Sequence, residues 1–443
     1  MNDLVKKYNR QGPRYTSYPP VPFWKNAPVE TSWISHLKES YKESEGLDLY
    51  VHVPYCEKLC YYCGCNRVVT KNHNVEDSYI ELIQKEWKIY CDSLGFIPKV
   101  NSLHFGGGTP TFLSAVNLEK IIQFLTVNKS ENFTGSIEVD PRNVTTAHLD
   151  TFLKNGIVRI SLGIQDFDPG VQKAINRMQS FELVKNLMAE IRARKFESIN
   201  FDIIYGLPKQ TQETITYTFS LVNELRPDLI AYYSYAHLPE RLSNQRLIKN
   251  EDLPEGTQKL ALYETGKLLL AEKGYHDIGM DHFALPENFL CQAKNNNCLD
   301  RNFMGYVDKK SSILIGLGPS AISNSSKSFI QNSKGLTDYE SRINSGVLAI
   351  TSGHTHTTED LAAQKIILEL MCNEESLIDL DVHPYKIEIS SELKNLEEDG
   401  LIKKTDNFIR VLPAGKKFIR NIAMVFDFHY REKAGIEKFS KTI

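Results

Sequence analysis

The 443-residue sequence has no apolar run approaching the roughly 18 residues of a membrane-spanning helix, which argues against a helical membrane protein. It also lacks a charge excess. Its 52 Lys and Arg against 55 Asp and Glu leave a net charge of −3, so nothing in the bulk electrostatics attracts nucleic acid or an anionic membrane. An anionic substrate would need a local basic pocket. The opening Met1-Asn-Asp-Leu-Val-Lys-Lys is polar, without the apolar core of a secretory signal. Low-complexity tracts are absent, and 41% hydrophobic with 24% charged residues is ordinary globular composition. Cysteine is scarce, at eight residues, and four of these (Cys91, Cys291, Cys298, Cys372) are scattered without pattern. That usage fits a reducing cytoplasm, where clustered cysteines bind metal more often than they pair.

The other four cysteines lie within ten residues, in Tyr50-Val-His-Val-Pro-Tyr-Cys-Glu-Lys-Leu-Cys-Tyr-Tyr-Cys-Gly-Cys-Asn66. Cys56, Cys60 and Cys63 have the spacing C-x3-C-x2-C, and Cys65 follows. Structural zinc usually takes two separated pairs, whereas these sit on one tight loop after a strand. A redox C-x-x-C at Cys60–Cys63 leaves Cys56 and Cys65 unexplained. Three thiolates on a 4Fe–4S cluster leave one iron open, and an open coordination position makes a metal site reactive. Tyr62, between two ligands, must place its ring near the cluster or its bound molecule, or form an apolar shell excluding water.

The chain is long for one core, so two domains or a large barrel with an appended module is expected. Residues 1–45 read as an irregular arm crowded with Pro13, Pro19, Pro20, Pro22 and aromatics. From Leu47 strands and helices alternate. The strands are Leu47–Val53, Ser102–Phe105, Ser136–Val139, Val158–Gly163, Ser198–Ile204 and Leu229–Tyr235. The helices are Val75–Leu94, Ala147–Asn155, Phe181–Arg194, Glu213–Leu225 and Gln258–Lys273. The fold class is α/β: six βα units predict a parallel sheet, too few to close an eight-fold barrel, hence a partial TIM-like (β/α)6 barrel over 46–344. Residues 274–330 read as loop-rich with a strand at Ile313–Leu317. Residues 345–443 read as a small helical domain with a winged-helix character. There Thr357 to Asp360 forms a capping box for Leu361–Cys372, Glu388–Asp399 ends at Gly400, Leu401–Val411 is a hairpin and Ala414–His429 a final helix.

Polar residues recur at successive strand ends: Glu138 and Asp140, Gln165 and Asp166, then Asp202. Any one of them is explained as a cap or turn residue, but barrels place their chemistry on that rim. Gly106-Gly-Gly-Thr-Pro110 follows a strand without matching G-x-G-x-x-G. A tight turn is its commoner explanation, and proximity to the cysteine loop makes it informative. Arg177 is placed to pair with a carboxylate, or is a surface ion pair. His52, His237 and His282 lack ligand-like spacing and are read as structural.

The cysteine loop at the end of a first βα strand resembles the radical S-adenosylmethionine enzymes. More closely, the chain resembles oxygen-independent coproporphyrinogen III oxidase from about Tyr8 to its end. The likeness is carried by Arg14-Tyr-Thr-Ser-Tyr-Pro19, Cys-Gly-Cys-Asn66, Ile137-Glu-Val-Asp-Pro-Arg142, Gly163-Ile-Gln-Asp-Phe167, Asp202-Ile-Ile-Tyr-Gly-Leu-Pro-Lys209, Tyr235-Ala-His-Leu-Pro239, Gly279-Met-Asp-His-Phe283, Arg301-Asn-Phe and Ser320-Ala-Ile-Ser323. The resemblance implies Cys56, Cys60 and Cys63 as 4Fe–4S ligands, with Cys65 a non-ligand, and Tyr50 and Cys65 as catalytic candidates. It implies S-adenosylmethionine contacts at Tyr50, Tyr62, Gly107, Gly108, Thr109, Glu138, Gln165, Arg177, Asp202, Ala236 and Ile322. The family also uses Phe at the position of Tyr62, so only ring packing is implied there.

The implied reaction turns two propionates of coproporphyrinogen III into vinyl groups, with two S-adenosylmethionine molecules bound side by side. The implied partners are the porphyrinogen, an unidentified electron donor and acceptor, no nucleic acid and no membrane, with the chain a cytoplasmic monomer. The substrate is a tetra-anion, so Arg10 and Arg14 on the arm are expected to pair with its carboxylates. The competing readings are a haem chaperone of the same superfamily, another radical enzyme such as a methyltransferase, and a zinc-stabilised binding module. Cys65 and the Arg14 motif argue against the chaperone.

Overall fold

The computed structural model describes residues 2–379, 385–432, 439 and 442. Six strands run parallel in chain order: β1 (Leu47–Val53), β2 (Val100–Gly107), β3 (Lys129–Val139), β4 (Ile157–Gln165), β5 (Ser198–Tyr205) and β6 (Leu229–Ser234). Helices α1 (Val75–Leu94), α2 (Ala115–Leu125), α3 (Thr146–Lys154), α4 (Phe181–Ala193), α5 (Gln212–Leu225) and α6 (Thr257–Glu272) follow them in turn. The reason is local as well as global. Ser114, Thr145, Ser180 and Thr211 each accept a backbone N–H of the first helical turn, so four of the six helices start at a side-chain cap. One apolar stripe of α1 (Tyr79, Ile83, Trp87, Tyr90) then buries against the sheet. Leu49, Val51, Phe105, Ile137, Leu162 and Phe201 are fully buried in the strands, as a sheet covered by helices demands.

The sheet does not close. A further parallel strand, Leu314–Leu317, pairs with the outer side of β1, and the sheet continues antiparallel through Ile322–Asn324, Ser328–Asn332 and Ile350–Thr355. At the other end β6 is followed by His282–Ala284 and His276–Gly279. The architecture is the expected partial barrel. Its C-terminal region sets helices Thr358–Asn373 and Lys386–Glu398 around a three-stranded sheet, with the Thr357–Asp360 capping box in place. Among the described residues no helix is long and apolar enough to cross a membrane.

Four local expectations need correction. The arm is not irregular throughout: it contains helices Asn2–Tyr8 and Glu30–Lys42, the second burying Trp33, Ile34 and Leu37 once the prolines are passed. Helix α2 was not anticipated. The stretch 274–330 holds the expected strand, at Leu314–Leu317, but around it are a helix (Phe289–Asn295) and further short strands of three to five residues, below the length at which alternation is legible. The final helix is broken into Pro413–Phe418, Ile419–Met424 and Phe428–Glu432. It restarts because Asp427 accepts the Tyr430 N–H at 2.9 Å, capping the new turn, while its other oxygen accepts the Tyr15 hydroxyl at 3.0 Å.

That last bond shows where the arm lies. Tyr8 packs on Phe418 (5.5 Å between centroids) and Tyr18 on Phe428 (5.9 Å). Arg420 donates to the carbonyls of Gly12 and Pro13. The arm is thus pinned to the C-terminal region immediately before Arg14.

Candidate active site

The cysteine loop leaves the C-terminal end of β1 and lies against the turn after β2. Gly108 N–H donates to Val53 O (2.7 Å) and Thr109 N–H to Tyr55 O (2.9 Å), while Thr109 Oγ1 is 3.3 Å from Cys56 Sγ. The glycines are required by contact. A Cβ on Gly107 would meet His52 and Val53 O at 2.8 Å, and one on Gly108 would meet Tyr55 O at 2.8 Å. Further along, Asn244 Nδ2 donates to the carbonyls of Tyr61 (2.8 Å) and Cys63 (3.0 Å), and Gln245 Nε2 to that of Tyr62 (2.9 Å). Arg67 donates to the carbonyls of Cys63 and Cys65. A loop whose own regular structure is only the short pairing of Tyr55–Cys56 with Val68–Val69 is held by side chains that satisfy its carbonyls.

Over this loop opens a cavity of about 420 Å³, within the range of small-molecule sites. Its lining includes all four cysteines of the loop and, of the expected cofactor contacts, Tyr62, Gly107, Gly108, Thr109, Glu138, Gln165, Arg177 and Asp202. They come together because the parallel strands open on one rim: Gly107, Glu138, Gln165 and Asp202 lie on the strands, Gly108, Thr109 and Arg177 in the segments that follow, and Tyr62 in the cysteine loop. Gln165 takes a left-handed backbone (φ 68°) to do so. Three expected residues are not in the lining. Tyr50 hydrogen-bonds through its hydroxyl to His52 Nδ1 (3.0 Å), and His52 Nε2 contacts Asn66 O (2.8 Å), so Tyr50 braces the end of the loop. Ala236 offers its carbonyl to Gln245. Ile322 begins the antiparallel strand beyond Leu314–Leu317. His282, read from sequence as structural, forms part of the cavity wall.

Charge is arranged around the sulfurs. Arg177 is buried, with Nη1 3.0 Å from Asp140 Oδ2 and 3.6 Å from Cys60 Sγ, while Nη2 donates to Gly163 O at 2.6 Å. Arg142 also pairs with Asp140, at 2.6 Å. Burial pushes the Asp140 carboxyl up, but the two guanidinium groups outweigh it and hold it near about 2. Asp202 has no salt bridge among the described residues and feels the charge of Arg177 less than its own burial. Burial, reinforced by Glu138, raises it to about 6 despite bonds from Ser161 and Asn200. Burial raises the Cys56 thiol to about 11, whereas the hydrogen bond from Cys65 and the charge of Arg67 bring Cys63 down to about 6.

The donor set fits a cluster better than a single ion. Thiolates on one tetrahedral zinc, with bonds of about 2.3 Å, stand about 3.8 Å apart. Among the described residues the group that brings three ligand atoms within 4.8 Å of one another is His354, His356 and Asp360, and no three of the cysteine sulfurs come that close together. Cys56 and Cys60 are buried, Cys63 is half-buried and Cys65 is exposed to the cavity. Two arginines beside Cys60 suit an anionic, thiolate-held group.

Another part of the cavity wall is aromatic. Tyr233, His282 and Tyr306 line it. Arg14 reaches this wall from the arm, ion-paired with Asp281 and 5.9 Å from the Tyr233 ring. Arg10 is exposed.

The comparisons with known proteins agree with this geometry. The radical SAM superfamily profile matches residues 50–222. The oxygen-independent coproporphyrinogen III oxidase of Pseudomonas aeruginosa is 38% identical over 452 residues, covering 100% of this chain and 98% of the relative. That of Escherichia coli is 38% identical over 449 residues, covering 99% and 98%. The solved structure of the Escherichia coli coproporphyrinogen III oxidase, described as a radical SAM enzyme, superposes with a TM-score of 0.89 at 35% identity, covering 97% of this chain and 99% of that one. With a cysteine loop on a partial barrel and similarity along the whole length of both chains, this protein belongs to the oxygen-independent coproporphyrinogen III oxidase family of radical SAM enzymes.

Proposed function

We infer that this protein converts two propionate side chains of coproporphyrinogen III to vinyl groups, giving protoporphyrinogen IX without oxygen. The observation that carries the reading is one cavity lined both by the C-x3-C-x2-C cysteines and by a wall that Arg14 reaches. Such a cavity can bring a polyanionic tetrapyrrole to a redox centre.

Cys56, Cys60 and Cys63 would hold a 4Fe–4S cluster. When bound, the cluster and S-adenosylmethionine supply a one-electron reduction and a carbon radical able to remove an unactivated hydrogen. The chain's own residues do the rest. Glycines 106–108 let this turn lie directly against β1 and the cysteine loop, since a Cβ there would meet Tyr50, His52 or Tyr55. Glu138 and Asp202 offer carboxylates in the cavity to an amino group and to ribose hydroxyls, and Arg177 offers a guanidinium that Asp140 fixes in place. Tyr62 packs against the Val171, Ile175, Leu207 and Tyr235 cluster and covers the loop from solvent. Cys65 stands beside Cys63 as a thiol rather than a ligand. The reading includes two S-adenosylmethionine molecules, one per decarboxylation, and a monomer acting in the cytoplasm. Each propionate loses a hydrogen atom, CO2 and one electron, so a separate electron acceptor is required.

The test is anaerobic incubation of the reduced holoenzyme with S-adenosylmethionine and coproporphyrinogen III, reading protoporphyrinogen IX and CO2. Cofactor cleavage without decarboxylation, or haem retention without turnover, would refute the assignment.

A further inference from the structure

Arg301 lies on the short strand Asp300–Asn302, directly opposite Tyr306 in the register of the hairpin. It is 5% exposed, and its guanidinium carbon sits 4.5 Å from the centroid of the Tyr306 ring. Its Nε and Nη1 are buried without a hydrogen-bond partner among the described residues. The neighbouring cations are occupied otherwise: Arg14 pairs with Asp281, and Arg420 donates to the carbonyls of Gly12 and Pro13. Beside Arg301 is His282, whose Nδ1 is also buried and unpaired and whose ring is 5.3 Å from Tyr306. Burial and the charges of Arg301 and Arg14 hold this histidine neutral, down at about 3. Tyr306 and His282 both line the cavity.

A guanidinium removed from water without an acceptor is unfavourable, because no hydrogen bond returns the lost hydration. Such a group is stable on paper only with an anion beside it, and none of the described carboxylates fills that place. Resting on the function proposed above, whose substrate carries four carboxylates, we propose that Arg301 is the receptor for one propionate carboxylate of the porphyrinogen, with His282 lining the same subsite. Arg suits this role through its planar set of N–H donors, and the ring of Tyr306 fixes the plane of the guanidinium.

The test uses anaerobically reconstituted full-length holoenzyme and coproporphyrin III, a fluorescent tetracarboxylate, with its tetramethyl ester as control. Arg301→Gln should weaken coproporphyrin III binding by about tenfold to a hundredfold, while the ester binds wild type and variant alike. The KM for coproporphyrinogen III should rise with it, with iron content and S-adenosylmethionine affinity unchanged. Arg301→Met keeps a stem over Tyr306 and removes the uncompensated charge. It should leave the ligand-free enzyme as resistant to denaturant as wild type, or more so, and carry the same binding loss. Undiminished coproporphyrin III affinity in a folded variant, equal loss of acid and ester, or marked destabilisation by Arg301→Met would overturn the proposal. Failure of wild type to bind or decarboxylate the tetrapyrrole would instead remove the function on which it rests.

Discussion

A Cβ added to Gly108 would stand 3.0 Å from the Sγ of Cys56 and 2.8 Å from the carbonyl oxygen of Tyr55. The glycine after β2 and the first cysteine after β1 therefore share one space. Backbone cannot yield as a flexible side chain can, so Gly108→Ala must displace the loop, at about 1–3 kcal/mol for such overpacking. The expected result is lower iron and sulfide content in reconstituted protein although every thiol remains. Full cluster loading would mean the loop tolerates the shift.

The four cysteines are expected to separate into two classes. Cys56→Ser, Cys60→Ser and Cys63→Ser should each lose the iron–sulfur absorbance, and Cys65→Ser should keep it. Cys65 is the most exposed of the four and lies beside Cys63. Equal iron loss from all four would restore a four-thiolate site.

Arg14 is brought to the cavity wall by an arm that Arg420 and Asp427 pin in place. Arg14→Ala should lower kcat/KM for coproporphyrinogen III about tenfold or more, with cluster content unaltered. Unchanged steady-state kinetics would remove the arm from substrate recognition.

Glu86 on α1 is fully buried and accepts the Gly318 N–H (2.8 Å), the Tyr339 hydroxyl (2.6 Å) and Asn332 Nδ2 (2.7 Å). Burial outweighs these bonds and raises its carboxyl from 4.5 to about 7. Because the folded value lies above the unfolded one, this group's contribution to stability is fully present below about pH 4.5 and is lost as pH rises through about 7. Denaturant unfolding should show wild type losing about 3 kcal/mol from this source between those limits, and Glu86→Gln should flatten that component. Parallel pH profiles for the two proteins would show that Glu86 does not titrate there.

What was legible in the sequence is what acts over short range. The C-x3-C-x2-C spacing, the glycine run at a strand end and the 3.6-residue stripe of α1 are local patterns; the structure sets the cysteine loop and the stripe where expected, and carries the strand two residues further, through Gly106 and Gly107. The helix Glu30–Lys42 escaped because prolines dominate the segment before it, and the hairpin bearing Arg301 because its strands are three residues long. Asn244 and Gln245 gave no signal at all. They lie some 180 residues from the loop whose carbonyls they satisfy, and an amide side chain in a turn looks like any other.

The sequence by itself determined the cysteine spacing and the alternation of strand and helix, because thiol spacing and hydrophobic period are written in neighbouring residues. Only the tertiary structure decided which charges face which. Asp140 is held at about 2 by two arginines, Asp202 is raised to about 6 by burial, and Nε and Nη1 of Arg301 are left buried without an acceptor among the described residues. Electrostatic environment depends on burial and on distances between strands far apart in the chain, and composition near neutrality carries no trace of it.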